Sequence, residues 1–484
     1  MKLKDLLYGL DSYELIGEDV EIKKISYNSK QVEKGTLFFC IEGFSLDGHK
    51  FAEEAVSNGA VALVVSKNVN LSKNVTLVKV KDTRKAMAII SSNFYNNPLK
   101  ELKVIGITGT NGKTTSTFMM KSILEAKNLK TGLIGTIYNI IGDNIVEAKR
   151  TTPESMDLQF MFRQMVESKC NFCVMEVSSH SLELDRVYGV TFEAGIFTNL
   201  TQDHLDFHKT MENYFKAKLK LFERTKHAII NIDDSYGRKA LDLVNCNVIT
   251  FGIENLADVF AKNLKIEDSG TIFTLCYDNQ EVDINLHLPG KFNVYNALGC
   301  AAAAISLGID LKTIKLGLES LKSVPGRSEK INSKKGFTVI IDYAHTPDGI
   351  ENILKATREY TKGKLVILFG AGGDRDKTKR PLMGKAAGSL ADFCIVTSDN
   401  PRSEDPEKII QDILPGVEST GCPYKVIVDR KEAIKYALMN ANEGDVIVIA
   451  GKGHETYQII KDKVIPFDEK EIVNEFLKEI EQKI

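Results

Sequence analysis

Little in this sequence points toward nucleic acid, a bilayer or an oxidising exterior. Lys+Arg number 63 and Asp+Glu 65, a net charge of −2, which argues against a chain that coats DNA or an anionic membrane. A small or locally charged partner is expected instead. Proline is scarce, 11 of 484 residues, while 43% hydrophobic and 26% charged content excludes a disordered or collagen-like chain. Met1 to Leu15 mixes Lys2, Lys4, Asp5 and Asp11 into its apolar residues; no secretory-signal centre is read there, and a cytoplasmic location is expected. The longest weakly polar stretch, Ala297 to Ile309, falls short of the roughly 20 residues that span a membrane. The eight Cys lie mostly in apolar runs and read as small core residues of a reducing compartment. Cys170 and Cys173 form a Cys-x-x-Cys pair without a second pair at metal-site spacing, and core packing is expected there too.

At about 150 residues per domain, the length suggests three domains. The first hundred residues alternate short strand-like runs, Thr36 to Ile41 and Ala60 to Val65, with a helical stretch, Lys50 to Asn58. The second block opens with the apolar run Lys103 to Ile107, a Gly-rich turn and the amphipathic stretch Thr114 to Lys127, the order strand, phosphate loop, helix. Strand-like runs recur at Phe172 to Val177, Ala194 to Thr198, Ala228 to Ile232 and Val248 to Phe251, predicting a mostly parallel sheet covered on both faces. A third block repeats the alternation at Phe337 to Asp342, Lys364 to Phe369, Phe393 to Thr397 and Asp445 to Ala450. The expected fold is α/β in three domains: a small N-terminal α/β domain over 1–98, a central P-loop ATPase-like domain over 99–327, and a doubly wound Rossmann-like domain over 328–484.

Gly109-Thr-Asn-Gly-Lys-Thr-Thr115 is the strongest chemical signal. Glycines let backbone N–H groups face a phosphate, Lys113 neutralises it, and a Thr hydroxyl can hold magnesium. The strict Gly-x-x-x-x-Gly-Lys spacing fails, because Ile107 stands five positions before Gly112; the strand-loop-helix context still predicts ATP binding. Glu176-Val-Ser-Ser-His180 and Thr198 to His208 follow later strands. Residues just beyond strand C-termini gather at the ligand crevice of doubly wound sheets, so Glu176 and His204 could share a metal with the nucleotide phosphates. In the third block four polar loops end successive strands: Asp342 to Pro347, Gly370 to Asp376, Asp399-Asn400-Pro401-Arg402 and Gly451 to Glu455. Together they offer cations for carboxylates and anions for an amine, which suits a zwitterionic ligand. The incomplete Gly-x-Gly-x-x-Gly pattern after Phe369 argues against a nicotinamide site.

In order and spacing, Gly109 to Thr115, Glu176 to His180, Asn199 to His208, Gly290 to Asn296, Asp342 to Pro347, Gly372 to Pro381 and Asp399 to Arg402 resemble the Mur ligases of peptidoglycan synthesis, over nearly the whole chain. Within them the likeness is to members that add a diamino acid. The resemblance implies an ATP-dependent ligase that phosphorylates the D-glutamyl carboxylate of UDP-N-acetylmuramoyl-L-alanyl-D-glutamate and lets the amine of meso-2,6-diaminopimelate attack the acyl phosphate. By the same analogy Gly109, Thr110, Asn111, Gly112, Lys113, Thr114 and Thr115 hold ATP phosphates and magnesium. Glu176 and His204 hold a second magnesium with Lys218, carried as a carbamate. Asn293 and Asn296 lie near adenine, and Arg327, Asp342 and His345 complete the ATP site. Ser29, the stretch Phe44 to Gly48, Thr151, Thr152, Ser178 and Arg186 match the UDP-sugar contacts. Leu184 and Phe44-Ser-Leu46 depart from the family pattern.

For the amino acid, Asp399, Asn400, Pro401 and Arg402 match the form typical of diaminopimelate-adding members. Arg402 would pair with the distal carboxylate, Glu455 would accept from the distal ammonium, Gly451 lies in the same turn, and Arg375 assists at the other end. L-Lysine would leave Arg402 unpaired, and lanthionine presents the same two heads as diaminopimelate. A folylpolyglutamate-type ligase and a catalytically idle nucleotide-binding scaffold are the alternatives; the N-terminal hundred residues and the 399–402 loop oppose the first, and the presence of Lys113, Glu176, His204 and Lys218 together opposes the second. A monomer is expected.

Overall fold

The computed structural model describes residues 1–43 and 46–482. Residues 1–106, 129–193 and 223–226 form one compact unit, and residues 107–128, 194–222 and 227–484 form another.

In the first unit a five-stranded sheet runs in the order Glu14–Ile16, Thr76–Lys79, Ala60–Val65, Thr36–Phe39, Lys24–Ser26. All its pairings are parallel except the outermost, Glu14–Ile16 with Thr76–Lys79. Leu37, Phe39, Val64 and Val78 point to one core, with Ala86 and Ile90 of the helix Thr83–Phe94 against them. Phe38, Leu63 and Val65 point to the other face, onto Ala52, Ala55 and Val56 of the helix Ala52–Ser57. Alternate residues thus serve opposite faces, and both faces are apolar because both are covered. The same unit pairs Phe172–Glu176 in parallel with Thr131–Ile134, which continues antiparallel through Tyr138–Ile141 and Asn144–Glu147.

The second unit carries a ladder of Thr225–Asn231, Asn247–Gly252, Val259–Glu267, Gly270–Tyr277 and Gln280–Leu286, parallel in its first two pairings and antiparallel in its last two. The antiparallel arm is the exception within the expected mostly parallel pattern. Its last hairpin turns at Asp278 and Asn279, both with positive φ (45° and 58°), the backbone a tight two-residue turn demands. The second sheet of this unit runs Glu329–Asn332, Thr338–Asp342, Val446–Ala450, Leu365–Phe369, Phe393–Val396, Tyr424–Val426. It is parallel except for its first pair. Two cores flank it, one holding Ile353, Ile367, Met383 and Ile413, the other Ile341, Ile395, Ile434 and Ile449. This is the doubly wound layering expected for the third block, and its strand C-termini release the four polar loops on one edge.

Six of the eight cysteines are buried, Cys170 and Cys173 among them, and all are free thiols. Burial pushes the Cys173 thiol well above its ordinary range, as core packing requires. Among the described residues no helix is long and apolar enough to cross a membrane.

Candidate active site

The strand Lys103–Thr108 leads into the phosphate loop of the second unit, and the helix Lys113–Ala126 starts at Lys113. Two glycines are required here by space as well as by φ. Gly109 has φ +151°, and an added Cβ would sit 1.8 Å from Thr198 Oγ1; Gly112 has φ +87°, and its Cβ would meet Asn296 Oδ1 at 2.3 Å. The loop is held from outside: Asn199 Oδ1 accepts from Asn111 N (2.9 Å), Thr198 Oγ1 donates to Asn111 O (2.6 Å), and Thr110 N donates to Asn199 O (3.0 Å). Lys113 Nζ donates to Gly109 O and Thr110 O, each at 2.8 Å. The ammonium thus lies folded along the loop that a phosphate would enter.

Lys218, on the helix Met211–Leu219, is 1% exposed and donates to that same Gly109 carbonyl at 2.8 Å. Its ammonium lies 4.5 Å from the Tyr214 ring centroid. Burial, and then the charge of Lys113, hold its amine well below the ordinary lysine range. Asp203 is the anion at this end of the site. Lys379 Nζ lies at 3.1 Å, His204 Nε2 at 3.3 Å and His345 Nε2 at 3.8 Å from its carboxylate. Burial alone would raise this carboxyl; His204, Lys379 and His345 outweigh it and hold it below the usual carboxylate range. His204 itself has φ +54°, a conformation that non-glycine residues adopt sparingly and that concentrates at functional sites.

Asn293 and Asn296 lie in the first turns of the helix Lys291–Ser306, joined by a 3.3 Å hydrogen bond, with Asn296 against Gly112. Arg327 Nη2 donates to Thr114 Oγ1 (3.0 Å), and its guanidinium stacks 4.3 Å from the Tyr343 centroid. Asp342 accepts from Ser328 N (2.7 Å) and Ala344 N (2.8 Å), and His345 Nδ1 lies 2.8 Å from Tyr343 O. The predicted nucleotide residues of this unit are therefore one connected network. Asp203, Lys379, Tyr214 and Asp348, which receives a hydrogen bond from Asn111 Nδ2 (2.6 Å), belong to it as well. Sequence reasoning did not single these out; Asp203 and Lys379 stand inside quoted motifs, 176 positions apart, and only the fold pairs them.

The amino-acid loops sit at strand ends of the six-stranded sheet. Arg402, φ +52°, donates from Nη1 to Gly373 O (2.8 Å), while its backbone is clamped by Ile459 O (3.1 Å) and Lys461 N (2.7 Å). Burial, and then the adjacent Arg375 charge, lower the Arg402 pKa against the opposing pull of Asp399, Glu455 and Asp374. Arg375 Nη1 donates to Asp374 O (2.9 Å). Asn400 N donates to Asp399 Oδ1 (2.6 Å), and Asn400 Nδ2 donates to Glu455 Oε2 (2.8 Å). Gly451, φ +120°, leaves room for the Asp399 carboxylate, which a Cβ would approach to 2.5 Å. Behind these loops the fully buried Arg380 clasps Glu404 (2.8 Å) and Asp412 (2.8 Å), and Glu404 accepts from Asp374 N (2.6 Å).

The remaining predicted residues lie in the first unit. Glu176 ends the strand Phe172–Glu176, 1% exposed, and accepts from Thr136 N (2.7 Å) and Thr136 Oγ1 (3.0 Å). Thr151 Oγ1 lies 3.0 Å from Thr136 Oγ1, and Thr152 Oγ1 donates to Glu176 O (2.9 Å) and accepts from Ser178 N (3.1 Å). Arg186 donates to Thr152 O (3.2 Å) and pairs with Glu154 (3.0 Å), which also meets Arg84 (3.0 Å) and Arg150 (3.3 Å). Three guanidiniums on one buried carboxylate leave surplus positive charge, a setting for an anionic group. Thr151, Thr152, Glu176, Ser178 and Arg186 are thus one cluster. Ser29, in the short turn Ser29–Gln31, is not hydrogen-bonded to them among the described residues; its carbonyl accepts from Asn58 Nδ2 (3.0 Å). Phe44 and Ser45 of the predicted sugar-contact stretch lie outside the described residues.

Comparison with known proteins bears on the whole chain. Family models match three consecutive stretches: the Mur ligase family catalytic domain over 21–98, the Mur ligase middle domain over 107–304, and the Mur ligase glutamate ligase domain over 326–453. The chain is 56% identical over 484 residues to "UDP-N-acetylmuramoyl-L-alanyl-D-glutamate--2,6-diaminopimelate ligase 1" of Clostridium acetobutylicum, covering 99% of this chain and 100% of that one. It is 52% identical over 484 residues to the corresponding 2,6-diaminopimelate ligase of Caldanaerobacter subterraneus, covering all of both chains. A solved structure titled as a UDP-N-acetylmuramoyl-L-alanyl-D-glutamate 2,6-diaminopimelate ligase superposes with TM-score 0.68 at 32% identity, covering 96% of this chain and 98% of that one. With its phosphate loop, its carbonyl-bound Lys218 and matches that run almost from end to end, the chain belongs to the Mur ligase family.

Proposed function

We propose that this chain is an ATP-dependent amide ligase that joins meso-2,6-diaminopimelate to the D-glutamate of UDP-N-acetylmuramoyl-L-alanyl-D-glutamate. The observation that carries the reading is the set of amino-acid loops: Arg402 and Arg375 both lie against Gly372, and Glu455 is tied to Asn400 two residues before Arg402, so cations and a carboxylate are offered to the charges of a zwitterionic distal centre. The named relatives are ligases of UDP-N-acetylmuramoyl-L-alanyl-D-glutamate and 2,6-diaminopimelate.

A carboxylate is a poor electrophile, so the reaction begins by giving it a leaving group. A carboxylate oxygen of the D-glutamyl group attacks the γ-phosphorus of ATP, the bond to ADP breaks, and an acyl phosphate results. The diaminopimelate amine then attacks the acyl carbon; the C–N bond forms, the C–O bond to phosphate breaks, and the amine proton is released. In this scheme Lys113 leaves its two loop carbonyls for the transferring phosphoryl group, and the loop N–H groups cradle the phosphates. Asn293, Asn296, Arg327, Asp342 and His345 hold the nucleotide, with Arg327 already docked on the loop through Thr114. Thr151, Thr152, Ser178, Arg186 and Ser29 take the UDP-sugar dipeptide, with the arginine surplus around Glu154 facing its anionic groups.

The carboxylate of Glu176 and the hydroxyl of Thr114 are hard oxygen donors that suit magnesium, and the imidazole of His204 would complete the set. Lys218 fits the set as a carbamate. The neutral amine is the form that adds carbon dioxide, and burial beside Lys113 favours it; the N–C bond forms, a proton is released, and the carbamate presents anionic oxygens next to Lys113. Bound there, magnesium would offset the crowded phosphate charge. The domain reading that goes with this scheme is 1–98 for the UDP-sugar, 99–327 for ATP and 328–484 for the amino acid, in a cytoplasmic monomer.

Phosphate release with ATP, magnesium and UDP-N-acetylmuramoyl-L-alanyl-D-glutamate tests the proposal, run in parallel with meso-diaminopimelate, L-lysine and lanthionine. Release with diaminopimelate and not lysine is expected. Release with lysine alone would overturn the amino-acid assignment, and silence with all three would overturn the ligase.

A further inference from the structure

The central strand Val446–Ala450 runs into Gly451-Lys-Gly-His-Glu455, and Lys452 turns inward there, 0% exposed. An ammonium out of water must have its protons accepted and its charge matched. Apart from the Tyr457 carbonyl, every group that does so belongs to the amino-acid loops. Lys452 Nζ donates to Asn400 Oδ1 at 2.9 Å and to Tyr457 O at 2.8 Å, and it lies 3.4 Å from Glu455 Oε2 and 4.0 Å from Asp399 Oδ1. The rings of Tyr457 and Phe467 stand 6.0 Å away on either count.

These contacts fix more than the lysine. Asn400 has a carbonyl end and an amino end that a pocket could accept either way round. With its Oδ1 taken by Lys452 and by Ile459 N (2.9 Å), its Nδ2 is left to face Glu455 Oε2 at 2.8 Å. The ammonium and the Ile459 N–H together set the amide orientation, and the amide sets the carboxylate. Lys452 also decides the charge of the pocket. Buried Asp399 and partly buried Glu455 are neighbouring carboxylates, whose repulsion adds to burial in raising the Glu455 carboxyl. With Lys452 between them the anionic side carries a net charge of about one; without it, two.

We propose that Lys452 is a positioning residue that selects a zwitterionic distal end over a bare ammonium, by fixing Asn400 and Glu455 and by cancelling one of the two carboxylates. This rests on the reading that the amino-acid substrate docks at Arg402 and Glu455. A pocket with one uncompensated carboxylate facing the arginines matches a group bearing one ammonium and one carboxylate. A pocket with two draws a terminal ammonium and repels a carboxylate.

The test compares native enzyme with Lys452→Met and Lys452→Arg, measuring KM and kcat for diaminopimelate and L-lysine, with KM for ATP and for the UDP-sugar dipeptide as controls. Lys452→Met is expected to raise the diaminopimelate KM about tenfold or more and to cut the diaminopimelate-over-lysine ratio of kcat/KM by about tenfold, the scale of a lost buried charge partner. The KM values for ATP and the UDP-sugar should stay within about twofold, since a pocket-charge effect is local. Lys452→Arg keeps the charge and should keep the ratio, with a weaker KM. A Lys452→Met enzyme that keeps the native ratio, or that loses all three substrates alike, overturns the proposal. Should Lys452→Met not fold, the ratio in Lys452→Arg decides: retention supports selection by charge, loss overturns it. A native enzyme that ligates neither amino acid defeats the underlying activity instead, a result distinct from any of these.

Discussion

The phosphate loop and the amino-acid pocket are built in opposite ways. Gly109 to Thr115 is one unbroken segment whose side chains and backbone meet within seven residues, and its lysine rests on carbonyls three and four positions back. The amino-acid pocket is assembled from Gly372–Arg375, Asp399–Arg402 and Gly451–Glu455, delivered by three strands that are neighbours in the sheet and far apart in sequence. A local site stands on backbone geometry and tolerates few residue types. An assembled site stands on ion pairs between loops, and its selectivity can move without loss of the chemistry.

That contrast can be broken at several points. Lys113→Ala should lower phosphate release by about a thousandfold or more, because no other group on the loop replaces its charge at the transferring phosphoryl; a rate within tenfold of native would contradict a phosphate role. Lys218→Ala should fall nearly as far, and about tenfold or more of the loss should return with millimolar acetate or formate standing in for the carbamate oxygens. Unchanged turnover would refute the carbamate.

In the assembled site, Arg402→Ala should cost diaminopimelate about a hundredfold in kcat/KM while L-lysine changes by less than about threefold, since only the first loses a partner. Equal losses with both would remove Arg402 as selector. Arg380→Met should leave KM for ATP alone and lower stability by about 2 kcal/mol in urea unfolding, less than a fully buried pair because Asp412 is half exposed. The smallest effect is in acid. Hydrogen bonding to Arg380 depresses the Glu404 carboxyl from 4.5 to about 2. A depressed carboxylate stabilises the fold above its unfolded value and loses that contribution as pH falls from about 4.5 toward 2. Glu404→Gln should therefore flatten acid unfolding in that window and change nothing at pH 7 beyond the constant offset; a steeper acid transition would give the wrong sign.

The phosphate loop was legible because its physics is local: glycine, lysine and threonine at fixed spacing after an apolar run. The strand ends of the 328–484 block were legible for a related reason, as four apolar runs each broke into polar residues, and Thr338–Asp342, Leu365–Phe369, Phe393–Val396 and Val446–Ala450 lie within a residue of their expected limits. The antiparallel arm Val259–Leu286 was not, although Asp278-Asn279 is the kind of pair that marks a tight hairpin. Buried Lys379 and Lys452 were not legible either. A lysine in a polar motif reads as solvated, and what buries each is a carboxylate or amide supplied from 52 or more positions away. Pairings across that distance are a property of topology, which composition and periodicity do not carry.

The carbonyl of Gly109 takes hydrogen bonds from both Lys113 and Lys218, and the residue has no room for a side chain against Thr198. Three separate demands thus meet on one residue: a φ of +151°, an empty Cβ direction and an oxygen shared by two lysine side chains. Such a position cannot drift by compensation, since a smaller neighbour at 198 would relieve the clash and leave the backbone angle unmet. In a saturation library position 109 should admit glycine alone.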